Sequence, residues 1–312
     1  MSRSLDQQIV EARPKKADVD PFRPYAFHLE KERGPGGDLD PVATLFLTNR
    51  ECPFRCTMCD LWKNTTDQTV PLGAIPAQID YALSRLPEAK HIKLYNSANF
   101  FDPGSIPFED HSAIAEKVGQ FETVIVENHP RFCRDVVFEF RDRLEGQLEV
   151  ALGLETVHPE ALARLNKQMT VDDYRRAAER LTAGGVEVRT FVLLKPPGLD
   201  EQEGIQWAIS SVKVAIEAGS RCVAVIPARA GNGYMELLHK KGEFSPPKIS
   251  SLESVLESCL PSESARVFAD LWDLEKFSHC ESCFQQRQER LSLINTTGVI
   301  PPAVQCECEV EK

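Results

Sequence analysis

Seven of the ten cysteines in this chain of 312 residues fall into two tight groups, and thiols at such spacings are metal ligands more readily than disulfide partners. The first group is Cys52-Pro53-Phe54-Arg55-Cys56-Thr57-Met58-Cys59, a C-x3-C-x2-C spacing. Three thiolates suit three irons of a 4Fe–4S cubane and leave the fourth iron free to take a small molecule. Zinc is the competing reading, but a structural zinc wants four ligands, and the nearby candidates for a fourth are only Glu51 and Asp60. The second group is Cys280/Cys283 with Cys306/Cys308, two pairs separated by 22 residues. Four thiolates close a tetrahedral sphere and staple a small tail, so zinc leads there, followed by an auxiliary iron–sulfur cluster. His279 is a reserve ligand. Cys133, Cys222 and Cys259 stand alone and read as buried packing.

The elements that must position these thiols are short apolar runs alternating with helical patterns. Candidate strands are Val42–Thr48, His91–Tyr95, Thr123–Glu127, Leu148–Leu152, Glu187–Leu194 and Arg221–Ile226, each bounded by turn formers. Thr170 with Asp173 opens one helix, which runs to Gly184-Gly185. Asp200 with Glu203 opens another as a capping-box pair, and Gly219 closes it. Strands alternating with helices imply an α/β fold with parallel pairing through right-handed crossovers. The result is a doubly wound sheet or an incomplete (β/α) barrel, and in a barrel the chemistry sits at the C-terminal strand ends. Residues 1–38 read as a loosely ordered lead-in, 39–244 as the core, and 245–312 as a C-terminal extension with the second cysteine group and an acidic tail.

Polar residues just beyond the strands are the other site candidates. Asn96, Ser97 and Asn99 follow the second strand, and Glu127, Asn128 and His129 end the third. Of these, His129 reads as a hydrogen-bonded loop residue. Glu155 follows the fourth strand, where a carboxylate can hold a ribose hydroxyl or a cationic substrate. Lys195 follows Phe191–Leu194 and precedes two prolines that stiffen the backbone. A lysine there can anchor a carboxylate or another anion. Arg189, in the same strand, is a weaker candidate.

The C-x3-C-x-φ-C pattern, with Met58 as the apolar φ residue, resembles the signature of the radical S-adenosylmethionine (SAM) superfamily. That resemblance implies a partial (β/α)6 barrel, a 4Fe–4S cluster on Cys52, Cys56 and Cys59, and SAM with its adenine near Met58. By the same resemblance Asn96, Ser97 and Asn99 meet the SAM amino group. Lys93–Asp102, Gly153-Leu154-Glu155-Thr156, Leu165-Asn166-Lys167 and Val192–Pro197 extend the likeness to the radical SAM subunit of archaeosine synthase, near the Elp3-like proteins. It covers most of residues 40–308. It implies an enzyme of lyase or transferase type acting on the 7-deazaguanine base of tRNA, where a carbon–nitrogen bond of a lysine adduct is broken to leave an amidine. A partner subunit and an electron donor such as flavodoxin or ferredoxin belong with that implication.

The formal net charge of −11 opposes non-specific nucleic-acid binding. Arg164, Lys167, Arg175, Arg176 and Arg180 form a local cationic stretch that reads as a solvated helix surface. No apolar run approaches the roughly 18 residues of a membrane span, and Met1–Lys16 lacks an apolar signal core, so the cytoplasm is the default location. The acidity leaves two alternatives: a radical SAM enzyme for a peptide or small metabolite, and a non-catalytic metal-binding scaffold.

Overall fold

Alternation along the strands builds the molecule. In the computed structural model, which describes residues 3–260 and 264–309, eight strands follow chain order in one sheet. They are β1 (Ala26–Arg33), β2 (Leu39–Leu47), β3 (His91–Asn96), β4 (Thr123–Asn128), β5 (Gln147–Glu155), β6 (Glu187–Leu194), β7 (Cys222–Pro227) and β8 (Arg266–Ala269). β1 is antiparallel to β2, and every later pair is parallel. The α-helices among the described residues are α1 (Leu5–Ala12), α2 (Ala74–Leu83), α3 (His111–Val118), α4 (Asp135–Arg141), α5 (Pro159–Arg164), α6 (Val171–Ala183), α7 (Glu201–Glu217), α8 (Tyr234–Lys240), α9 (Ile249–Cys259) and α10 (Glu281–Thr297). All six strands expected from the sequence are present. Capping boxes at Thr170/Asp173 and Asp200/Glu203 open α6 and α7.

One strand face is aliphatic. Leu45, Leu94, Val126, Leu152, Val192 and Val225 are buried in the core shared with the helices. The other face is polar and aromatic, and it must curl inward. A flat sheet would hold β1 and β6 about 24 Å apart, five spacings of about 4.8 Å. Yet Glu32 of β1 lies 2.6 Å from Arg189 of β6, and the Tyr95 and Phe191 rings of β3 and β6 are 6.2 Å apart. The sheet is a curled half-barrel whose edge strands approach each other at the lower end. There Arg266 of β8 donates to the Arg33 carbonyl of β1 at 2.9 Å.

That lower end is plugged by charge. Lys93 bridges Glu30 (2.8 Å) and Glu32 (2.6 Å), and Arg189 bridges Glu32 and Glu149 (2.6 Å). Burial opposes the charge on Glu32, but Arg189 and Lys93 hold its carboxyl far below the usual range. Buried charges survive only when paired and hydrogen-bonded in this way.

Both ends of the chain depart from the expected domain organisation. The lead-in is built into the fold: 5–12 is helix, 26–33 is the first strand. β1 escapes strand patterning because its lumen side carries His28, Glu30 and Glu32 rather than apolar residues. The C-terminal region likewise contributes β8, the last parallel strand. Its cysteine pairs are joined to the fold through α10, at whose start Cys280 and Cys283 lie. The end of the acidic tail, 310–312, lies outside the described residues.

Candidate functional site

The first cysteine group sits where β2 ends. Gln78 of α2 accepts from the Thr48 backbone N–H at 2.8 Å and donates to its carbonyl at 2.7 Å, which fixes the point of departure. The loop beyond is clamped from three sides. The Thr57 N–H donates to the Leu165 carbonyl at 3.0 Å, and Asn166 donates to the Arg55 carbonyl at 2.7 Å. Asn232 donates to the carbonyls of Thr57 (2.6 Å) and Cys59 (3.1 Å). Met58 packs with the small core of Ile9, Met235 and Phe244 between α1 and α8. Asn99 donates to Cys52 Sγ at 3.5 Å.

Thiol spacing separates the two cysteine groups chemically. Among the described residues, the only ligand set compact enough for a single ion is Cys280, Cys283, Cys306 and Cys308, all within 4.8 Å of one another. Its sulfurs pair at 3.7 Å (Cys280–Cys306) and 3.8 Å (Cys283–Cys308). A tetrahedral zinc with Zn–S bonds of about 2.3 Å has an edge of about 3.8 Å, so the fit is to one ion. Among the described residues, Cys52, Cys56 and Cys59 do not form such a compact set. Burial pushes Cys59 up to about 12 and Cys56 higher still. A metal must therefore displace those protons in order to bind.

A carboxylate and an ammonium lie beside these thiols. Glu155, at the end of β5, pairs with Lys167; both side chains are about one-tenth exposed, and Lys167 acts electrostatically on Cys56 and Cys59. A Cβ at Gly153 would meet both ends of this pair, so a side chain there would displace the Lys167 ammonium and the Glu155 carboxylate. Glu155 itself adopts φ 65, a costly conformation for a non-glycine residue and one that clusters at functional sites. Asn96 ends β3 with both amide atoms buried and without partners, a free-energy cost that a polar ligand would remove. Ser97 is buried beside it. Glu127 accepts from the Asn96 N–H at 3.1 Å, and burial raises its carboxyl to about 7.

Lys195 and Arg189 serve elsewhere, and His129 is the hydrogen-bonded loop residue expected of it. Lys195 donates to Glu201 (2.6 Å), Ser245 (2.9 Å) and the Pro246 carbonyl (3.5 Å), so all its N–H donors are engaged in bracing α7. Arg189 belongs to the charged plug. His129 accepts from the Arg131 N–H and shares its other ring nitrogen with the Lys167 carbonyl at 3.0 Å; burial lowers its pKa to about 3, which makes it a neutral strut. Of the cationic stretch, Arg164, Arg176 and Arg180 form exposed pairs with Glu160, Asp173 and Asp135, whereas Lys167 turns into the site. Sequence reasoning counted Lys167 in that surface stretch and also, with Asn166, in the Leu165-Asn166-Lys167 segment of the family likeness, without giving either a role; it passed over Asn232. Positive φ at Asn166 and Gln168 marks the tight turn that delivers Lys167, and no local pattern signals it.

A half-barrel with a three-thiol loop at the C-terminal end of its first parallel strand defines a class of enzyme. Residues 47–208, more than half of the chain, match the Radical SAM superfamily, and the protein belongs to it. Members use a 4Fe–4S cluster with SAM. The chain is 25% identical to an uncharacterized protein of Methanocaldococcus jannaschii over 98% of this chain and 91% of that one. It is 30% identical to the archaeosine synthase subunit beta of Thermococcus kodakarensis over 53% of each chain. With the subunit beta of Methanosarcina acetivorans it shares 27% over 64% of this chain and 60% of that one. Each subunit beta match thus spans less than two thirds of the relative. The fold resembles Methanocaldococcus infernus Elp3 (TM-score 0.51, 16% identity, 72% of this chain and 55% of that one). It also resembles Streptococcus suis SuiB (TM-score 0.53, 11% identity, 72% and 49%). No helix among the described residues is long and apolar enough to cross a membrane.

Proposed function

We propose that this protein acts in the cytoplasm on a 7-deazaguanine nucleoside of tRNA, as the radical SAM subunit of an archaeosine synthase-like enzyme. The sequence and geometry that carry the chemistry are the three-cysteine loop itself, clamped beyond the end of β2 beside the Glu155–Lys167 pair. Cys52, Cys56 and Cys59 hold the cluster. When bound, cluster and SAM supply reductive carbon–sulfur cleavage and a hydrogen-abstracting 5′-deoxyadenosyl radical. Met58 limits the adenine side of the pocket, while Asn96, Ser97 and Asn99 receive the SAM amino group. Glu155 holds a ribose hydroxyl. Lys167 takes the carboxylate-anchoring role that the sequence suggested for Lys195. Likeness to two archaeosine synthase beta subunits supports the tRNA substrate and a partner subunit; a reduced flavodoxin or ferredoxin suits the electron supply.

Anaerobically reconstituted protein given dithionite, SAM and tRNA bearing the 7-deazaguanine base is expected to release 5′-deoxyadenosine in a tRNA-dependent manner. No 5′-deoxyadenosine from cluster-loaded protein refutes the enzyme reading; a yield indifferent to tRNA refutes the substrate and favours a peptide or small metabolite.

The C-terminal thiols support zinc as a second metal, on the strength of their 3.7 and 3.8 Å separations. One zinc per chain is expected to remain in a Cys52/Cys56/Cys59→Ser variant and to be lost in Cys280→Ser/Cys283→Ser, as read by elemental analysis.

A further inference from the structure

The arginines of the cationic stretch meet a further one across a cavity of about 270 Å³. His129, Arg131, Gln168, Met169, Arg176 and Arg180 line it, over a floor that includes Cys133 and Ala177. Its walls are the turn Pro130–Phe132 just after β4, the segment after Lys167, and one side of α6. The first two lie at the C-terminal ends of the strands, as the cysteine loop does. No strand residue lines the cavity, so it stands at the rim of the mouth, outside the lumen. Three arginines face one carboxylate there, Asp173, in a chain whose net charge is −11. Both Asp173 oxygens are engaged: Oδ2 accepts from the Thr170 N–H and hydroxyl at 2.8 Å, and Oδ1 accepts from Arg176. Arg180 pairs with Asp135, whose side chain is 87% exposed. Exposed ion pairs contribute little, so Arg176 and Arg180 lose little by turning to another anion. Arg131 has no carboxylate partner among the described residues; its guanidinium lies over the Phe54 ring at 5.2 Å. Phe54 belongs to the cysteine loop and stacks on His129 at 4.2 Å. Gln168 directly follows Lys167, whose ammonium meets Glu155. The cavity and the three-cysteine loop therefore share a wall.

We infer that this cavity takes one phosphodiester of the tRNA backbone and so holds the RNA at the rim while one nucleotide enters the mouth. Planar guanidinium forks match phosphate oxygens two at a time, and three of them around one concavity concentrate positive charge on a chain that is acidic elsewhere. A base that must react inside a protein has to leave its stack, and the phosphates that flank it then cross the rim. Contacts of this kind fix position and register without reading sequence. A peptide or small metabolite brings no polyanion to such a place. The inference rests on the tRNA reading above and supplies a phosphate site for it.

The test is fluorescence anisotropy of labelled tRNA against cluster-loaded, SAM-bound, unreduced protein, across about 50–200 mM salt. The triple variant Arg131→Gln/Arg176→Gln/Arg180→Gln is expected to bind about 10- to 100-fold more weakly. Its plot of log affinity against log salt is expected to be shallower by about one. Both effects are expected to be equal for tRNA with and without the 7-deazaguanine base, because the phosphate is common to both. Arg85→Gln, an exposed arginine just beyond the far end of α2, is the control and is expected to keep the parent slope. Iron content and melting temperature confirm an intact fold in each variant. A parental slope in the triple variant, or an equal fall in Arg85→Gln, overturns the phosphate site even where tRNA-dependent 5′-deoxyadenosine is formed. A parent that binds no tRNA overturns the site and the substrate reading together. The expected fall in a chain that forms no 5′-deoxyadenosine leaves the site standing and overturns the proposed reaction.

Discussion

Asn232 shows how much of the site depends on residues that carry no chemistry of their own. Its amide holds the Thr57 and Cys59 carbonyls and accepts from the Met235 N–H at 2.8 Å. Asn232→Ala leaves buried carbonyls without donors, so we expect a loss of about 1–3 kcal/mol in urea unfolding and less iron per chain after reconstitution. Glu127 sets a pH dependence. Below pH 4.5 its carboxyl is protonated in both folded and unfolded chains. As pH rises towards about 7, the unfolded chain releases the proton and the buried folded group does not. Stability is therefore lost across that window, by as much as ~3 kcal/mol at about 1.4 kcal/mol per unit. Glu127→Gln is expected to remove this slope in melts between pH 5 and 7.5; an unchanged slope counts against the assignment.

Among the elements, α1 and β1 change the picture most. α1 lies against α8, with Ile9 buried in the core they share, and Asp6 reaches Asn166 at 2.6 Å. Arg13, just beyond, pairs with Glu51 at 2.7 Å and stacks over Trp62 at 4.6 Å. The N-terminal segment thus braces the cysteine loop from outside. Gly233 permits this contact: it has φ +91, and a Cβ would strike the Ala12 carbonyl. In Gly233→Ala, strain of about 1–3 kcal/mol favours local release of α1. Trypsin is then expected to cut at Lys15 or Lys16 about 5- to 100-fold faster, with the rest of the chain still resistant.

At the scale of the whole molecule, the charged plug ties four strands together across the lumen. Arg189→Met would leave Glu32 to Lys93 and Arg266, and Glu149 to Arg266 alone at 4.0 Å, and we expect a loss of about 1–3 kcal/mol in chemical unfolding at neutral pH. Glu32, whose carboxyl is held low, contributes stability that is present above about pH 4.5 and lost as pH falls further. The parent is therefore expected to weaken in acid more steeply than Arg189→Met.

What the sequence by itself determined is local chemistry and local period. The C-x3-C-x2-C spacing is the basis of the proposed three-ligand cluster, while the two C-terminal pairs marked a four-thiol group and alternating apolar runs the six central parallel strands, because thiol spacing and side-chain period are written within a few residues. Tertiary structure alone decided what depends on closure of the sheet. Curling made β1 a wall of the lumen although its lumen side is charged, and carried Lys167 from an apparent surface stretch to the side of Cys56. It committed Lys195 to Glu201, and brought the Tyr95 and Phe191 rings together from strands far apart in the chain. Those contacts join residues dozens of positions apart, and no short-range pattern encodes a distance that exists only after the barrel has curled.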